Sequence, residues 1–201
     1  MECGIADELI AMAELDLKVC DELATSGTLY EGYDPRMAAI HEKNALRLQA
    51  IIAQIGWPAE SLVGERAAKA AWLIAQHAIS QPEFQRSCLK LLAEAARAHM
   101  IPLWQPAMLE DRIRMFEDRP QLYGTQLNPD AHGNMRPYEI EDPERVDERR
   151  FAVGLEPLAV ILARAKPQPL PVDRERFERD YQKWLIEVGW RRRSEPNSGS
   201  A

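Results

Sequence analysis

The 201-residue chain carries 25 Lys and Arg against 32 Asp and Glu, giving a formal net charge of −7 and a pI near 5.2. That length suits one compact domain, or a domain plus an appended helix, and 46% hydrophobic with 28% charged residues excludes disorder or a fibrous repeat over most of the chain. The acidic balance lacks the basic footprint of a nucleic-acid binder, and no apolar run approaches the roughly 18 residues of a membrane-spanning helix.

Acidic residues at Glu2, Asp7, Glu8, Glu14 and Asp16 do not fit a secretory signal, so a cytoplasmic protein is expected. Cys3, Cys20 and Cys88 are odd in number and lack CxxC spacing, which signals neither a disulfide framework nor a thiolate zinc site. Cys20 and Cys88 fall within helical apolar patterns and read as small core residues.

In chain order, Ile5 to Thr25 carries an apolar stripe of Ile5, Leu9, Met12, Leu15, Leu17, Val19 and Leu23, which predicts a first helix ending before Ser26-Gly27. A loop with Tyr30, Gly32 and Tyr33 follows. Asp34-Pro35 supplies an N-cap and a first-turn proline for a second helix through His41, Leu48 and Ile55, and Gly56 stops it. A third helix is predicted over Ser61 to Ile79, a fourth from Pro82 to His99, and a shorter one over Pro106 to Glu117. Short connections favour antiparallel neighbours.

The pattern changes at Arg119-Pro120. The alternating run Gln121 to Gln126 predicts a strand paired with Met135 to Ile140 across a loop dense in turn formers. Asp142-Pro143 starts a helix through Phe151, Glu156 to Lys166 makes another, and residues 167–172 form a proline-rich linker. A last helix spans 173–190, and 191–201 reads as a disordered tail. The expected architecture is therefore mostly α. A compact multi-helix domain over 1–166 carries a small two-stranded β insertion, followed by a C-terminal helix.

The polar motifs each have a plain reading and a functional one. His77, beside Gln76 on an otherwise apolar helix, is either a packed ring satisfied by one carbonyl or an acid/base group that titrates near neutrality. The four histidines show no HxH, HExxH or HxxxH spacing, so no metal and no cofactor are expected. The segment Glu110 to Arg114 is either a solvated pair network or a place where an arginine fork grips a carboxylate or phosphate. Gln121, Tyr123, Thr125 and Gln126 crowd polar groups into six residues, either solvated on an edge hairpin or lining a polar site. Arg149 and Arg150 offer a second anion clamp or a charged outer face.

Read in order, Gly56-Trp57-Pro58, Gln76-His77-Ala78, Asp111-Arg112, Gln121-x-Tyr123-Gly124-Thr125-Gln126 and Arg149-Arg150-x-x-x-Gly154-Leu155 resemble a bacterial family of unknown function with the ordered motifs GWP, QHA, DR, Q-x-YGTQ and RR-x-x-x-GL. The resemblance covers about Asp34 to Leu155. It departs at Ile79, where an acidic residue is common in that family, so no carboxylate adjoining His77 in sequence is there to orient it. The resemblance supplies no reaction. It implies that Gln76, His77, Asp111, Arg112, Gln121, Tyr123, Gln126 and Arg150 belong to one site.

On that basis the chain is expected to be a small metal-independent acid/base enzyme, a hydrolase or group transferase. His77 and Asp111 would be catalytic, and Gln76, Arg112, Gln121, Tyr123, Gln126 and Arg150 would hold a polar, anionic metabolite or peptide-like substrate. The alternative is a non-catalytic binding module in which the same motifs are structural. Homo-oligomerisation is left open.

Overall fold

A computed structural model describes residues 2–193, with side chains described from Gly4 onward. Among the described residues it is mostly helical, with nine α-helices and one small antiparallel sheet. The helices are α1 (Glu2–Ser26), α2 (Pro35–Ile55), α3 (Glu60–Val63), α4 (Glu65–His77), α5 (Pro82–Arg97), α6 (Trp104–Phe116), α7 (Val146–Ala152), α8 (Leu158–Arg164) and α9 (Arg174–Glu187). None is long and apolar enough to cross a membrane.

Local chemistry sets the boundaries of α2. The Asp34 side chain accepts from the Arg36 N–H at 2.8 Å, and the Gly56 N–H returns to the Ile52 carbonyl. The single helix predicted over 61–79 is two, because Gly64 takes φ +80° and ψ 161°, outside the helical basin and unfavourable for any residue with a Cβ.

The core lies where α1, α2 and α4 meet one another and α5 meets α6. Leu9, Leu48, Ile51, Ile74, Leu92 and Leu109 are fully buried there. On α1 the buried register is Ile5, Leu9, Ala13, Asp16 and Leu23, whereas Leu15 and Leu17 face solvent. On α2 it is Met37, His41, Asn44, Ala45, Leu48 and Ile51. The α1 stripe therefore carries one polar residue, Asp16, and the α2 stripe two, His41 and Asn44, the Asn44 amide donating to the Met12 carbonyl at 3.3 Å.

The hairpin pairs β1 (Leu127–Pro129) with β2 (Met135–Pro137), Asn128 opposite Arg136. It begins after the run expected to form its first strand. Residue Gln121 makes only an isolated parallel bridge to Ile140, and 122–126 is an irregular loop. Helix α9 docks on its own chain. Leu185 is fully buried, the Trp190 indole N–H donates to the Ile79 carbonyl at 2.6 Å, and Trp190 stacks on Phe116. Arg191, expected at the start of a tail, donates to the Phe116 carbonyl. Residues 194–201 lie outside the described residues.

Candidate functional site

Asp16 on α1, His41 on α2 and His77 at the last position of α4 converge at one end of the three-helix packing. Asp16 is fully buried. Both of its oxygens lie 3.0 Å from His77 Nδ1, and Oδ1 lies 3.4 Å from His41 Nε2. The Tyr33 hydroxyl sits 2.8 Å from His41 Nδ1, which orders the chain Tyr33, His41, Asp16, His77. The His77 side chain keeps 24% of its surface exposed against 7% for His41, so solvent reaches the cluster at His77.

Hydrogen-bond bookkeeping gives a complete set of tautomers. The Tyr33 O–H donates to His41 Nδ1, His41 Nε2–H donates to Asp16, and His77 Nδ1–H donates to Asp16. His77 Nε2 is then the lone-pair nitrogen. Burial pushes the Asp16 carboxyl pKa up, but the hydrogen bonds and nearness of His41 and His77 outweigh it and hold the value at about 2. Burial raises the Tyr33 phenol well above its ordinary value. Trp184 of α9 meets Tyr33 edge-on, ring centroids 5.6 Å apart.

Asp111, the carboxylate expected beside His77, is engaged elsewhere. It accepts from the N–H groups of Leu122 at 2.7 Å, Tyr123 at 3.1 Å and Thr125 at 2.9 Å, and from the Thr125 hydroxyl at 3.0 Å. Loop 122–125 is thus wound round one carboxylate, whose pKa is raised by burial against the pull of those donors. Gly124 makes the winding possible: φ is +64°, and a Cβ there would lie 2.7 Å from Ile140 Cδ1.

The neighbouring motif residues brace the same loop. Gln121 donates to the Gln126 and Tyr138 carbonyls and accepts the Gln126 N–H at 2.7 Å, and the Gln126 amide donates to the Thr125 hydroxyl. Arg150 donates to the carbonyls of Tyr123 and Glu156, each at 2.6 Å, and Arg149 donates to the Leu122 carbonyl. Burial lowers the Arg150 pKa and raises that of the half-buried Tyr123. Asp111, Gln121, Gln126 and Arg150 form one network around loop 121–126.

Gln76 and Arg112 behave differently. Gln76 is 3% exposed, and neither amide atom has a hydrogen-bond partner. The Arg112 Nε is likewise buried without one. Desolvation lowers the Arg112 pKa to about 10, with Tyr181 of α9 acting in the opposite sense. A buried guanidinium nitrogen without a bonded partner is costly, and the rest of the half-buried Arg112 side chain still meets solvent.

Residues 3–165 match a family of unknown function, DUF6624. The chain belongs to that family. The DUF6624 region supplies Asp16, Tyr33, His41, His77 and Arg112, while α9 lies beyond it. The chain matches no curated protein and no solved structure.

Sequence reasoning did not join Asp16, His41 and Tyr33 to His77. The partners stand 25 and 61 residues from Asp16, so no local spacing reveals them. The usable signal was the register: Asp16 lies seven residues after Leu9 and seven before Leu23, and His41 lies seven before Leu48, each on a buried stripe.

Proposed function

We propose that this DUF6624 chain is a small acid/base enzyme of hydrolase or group-transfer type, acting on a polar, anionic metabolite or peptide-like substrate, with His77 as the proton-transfer group. The observation that carries this reading is a carboxylate shut off from solvent and bonded by two imidazoles, one of which reaches the surface. Donation of Nδ1–H to Asp16 fixes the tautomer of His77 and leaves Nε2 free to take a proton. Asp16 is the positioning residue in this scheme, in the place first expected for Asp111. The attacking group is water or the substrate itself, since no GxSxG, Cys/His signature or phosphate loop is present in the sequence. Arg112 and Gln76, with their unpartnered polar atoms, are suited to an anionic group and a polar neighbour.

The test is thermal denaturation of the wild type, Arg112→Ala and His77→Gln against anionic metabolites, nucleotides and short peptides. A ligand at 100 times its Kd adds about 2.7 kcal/mol to stability. The expected result is a hit that Arg112→Ala loses, followed by turnover of that ligand that His77→Gln abolishes while remaining folded. Unchanged turnover in His77→Gln overturns the assignment.

The loop network around Asp111 favours a second reading for its own part of the molecule, a binding module with structural polar motifs. It expects Asp111 and Arg150 variants to lose folding without any selective effect on ligand chemistry.

A further inference from the structure

The Asp16 cluster is built from three helices, and its three ligand-type atoms all lie within 4.8 Å of one another. An ion bound at about 2.0–2.2 Å to two imidazole nitrogens and a carboxylate oxygen needs those atoms roughly 3.3–3.6 Å apart in tetrahedral geometry. One edge already has that length, Asp16 Oδ1 to His41 Nε2 at 3.4 Å, and the edge from Asp16 Oδ1 to His77 Nδ1, now 3.0 Å, would open by about 0.3 Å on binding. The His41 and His77 rings are tilted at 48° with centroids 5.1 Å apart, so neither ring stacks flat against the other across the third edge.

Charge and second-layer chemistry point the same way. Asp16 is fully buried, and the side chains that bond it are imidazoles rather than a lysine or arginine. The cluster thus sets a carboxylate in the interior with no fixed cation bonded to it, and a divalent cation would supply that charge. The far nitrogen of His41 is held by Tyr33, as a metal-bound imidazole is commonly held by an outer partner. The partial exposure of His77 leaves one side of the cluster reachable.

We propose that Asp16, His41 and His77 bind one divalent transition-metal ion of the zinc class, through a carboxylate oxygen, His41 Nε2 and His77 Nδ1, with a further coordination position left for water. Two nitrogens and one oxygen suit such an ion better than calcium or magnesium, which prefer oxygen ligands throughout. Protons balance by tautomer exchange. The His77 proton moves from Nδ1 to Nε2, and the His41 proton moves from Nε2 to Nδ1, where the Tyr33 hydroxyl turns from donor to acceptor. The inference rests on the same cluster as the proposed function but changes the proton carrier, because His77 Nδ1 is occupied and the bound water becomes the ionisable group.

The experiment uses the full chain stripped with a chelator, dialysed and titrated with Zn²⁺ by calorimetry and with Co²⁺ by visible absorption. Saturable binding of one ion per chain is expected, with a Co²⁺ ligand-field spectrum and a raised Tm in Zn²⁺. His77→Gln and His41→Gln should each weaken binding by at least about 100-fold, and Tyr33→Phe by about 10–100-fold. His132→Ala, on the exposed hairpin loop, should bind like the wild type. His77 is partly exposed, so its variant is the one best able to keep the fold, checked by circular dichroism. No saturable Zn²⁺ or Co²⁺ binding by the wild type, or undiminished binding by both histidine variants, overturns the proposal. The readout is ion content rather than turnover, so a chain that binds no zinc yet turns substrate over overturns this inference alone.

Discussion

Asp16→Asn isolates the charge at the centre of the cluster while keeping its shape. The native carboxyl sits at a pKa of about 2 against an ordinary value of 3.8. That difference corresponds to about 2 kcal/mol of native-state stabilisation, since one pKa unit is worth about 1.4 kcal/mol. The group is fully buried, so solvent screening removes little of it. A depressed carboxyl pKa stabilises the fold above the unfolded-state value and loses that stabilisation as pH falls through the native one. The contribution is therefore complete above about pH 4 and disappears towards pH 2. Urea unfolding of wild type and Asp16→Asn at pH 7, 4 and 2.5 reads the difference directly. The expected gap is about 2 kcal/mol at pH 7, little changed at pH 4 and visibly smaller at pH 2.5. A variant as stable as the wild type at pH 7, or a gap that does not change with acid, would refute the argument that the imidazoles hold this carboxylate charged.

Asp111→Ala should cost about 3–5 kcal/mol, because three loop N–H groups and the Thr125 hydroxyl lose their common acceptor inside the fold; a Tm within a degree of wild type would contradict the clamp. Gly124→Ala should destabilise more than Gly154→Ala in parallel melts. Both glycines have positive φ, but only at Gly124 would the new Cβ meet another atom, Ile140 Cδ1 at 2.7 Å. Leu48→Ala should lower stability by about 2–5 kcal/mol in urea unfolding, as a fully buried leucine in the central core does when truncated.

Much of the fold was legible because its signals are local. Asp34-Pro35 and Gly56 bound α2 where the sequence places them, and Asp173 caps α9 by accepting the Arg176 N–H. The Gly64 break was not legible, since an isolated glycine in an alanine-rich helical pattern does not declare its φ. The run 121–126 was misread for a physical reason. Its alternation of polar residues reflects amide N–H groups turned inward to a carboxylate ten or more residues earlier, a demand that no strand pairing requires and no periodicity records. His77 stood out as a polar residue on an apolar helix. Its carboxylate did not, because among so many acidic residues only burial separates Asp16 from its solvated neighbours Glu14 and Asp21.

Helix α9 shows how far the chemistry of the cluster depends on chain outside the family region. The matched residues end at 165, yet Trp184 covers Tyr33, Tyr181 stands beside Arg112, and Trp190 closes over Phe116 and the carbonyl two residues beyond His77. Each contact removes water from a polar group that the family region supplies. A shielded phenol stays protonated and remains a donor to His41, while burial lowers the pKa of the half-buried Arg112 and leaves its Nε without a bonded partner. The domain thus contributes the side chains, and the appended helix lowers the polarity around two of them, Tyr33 and Arg112.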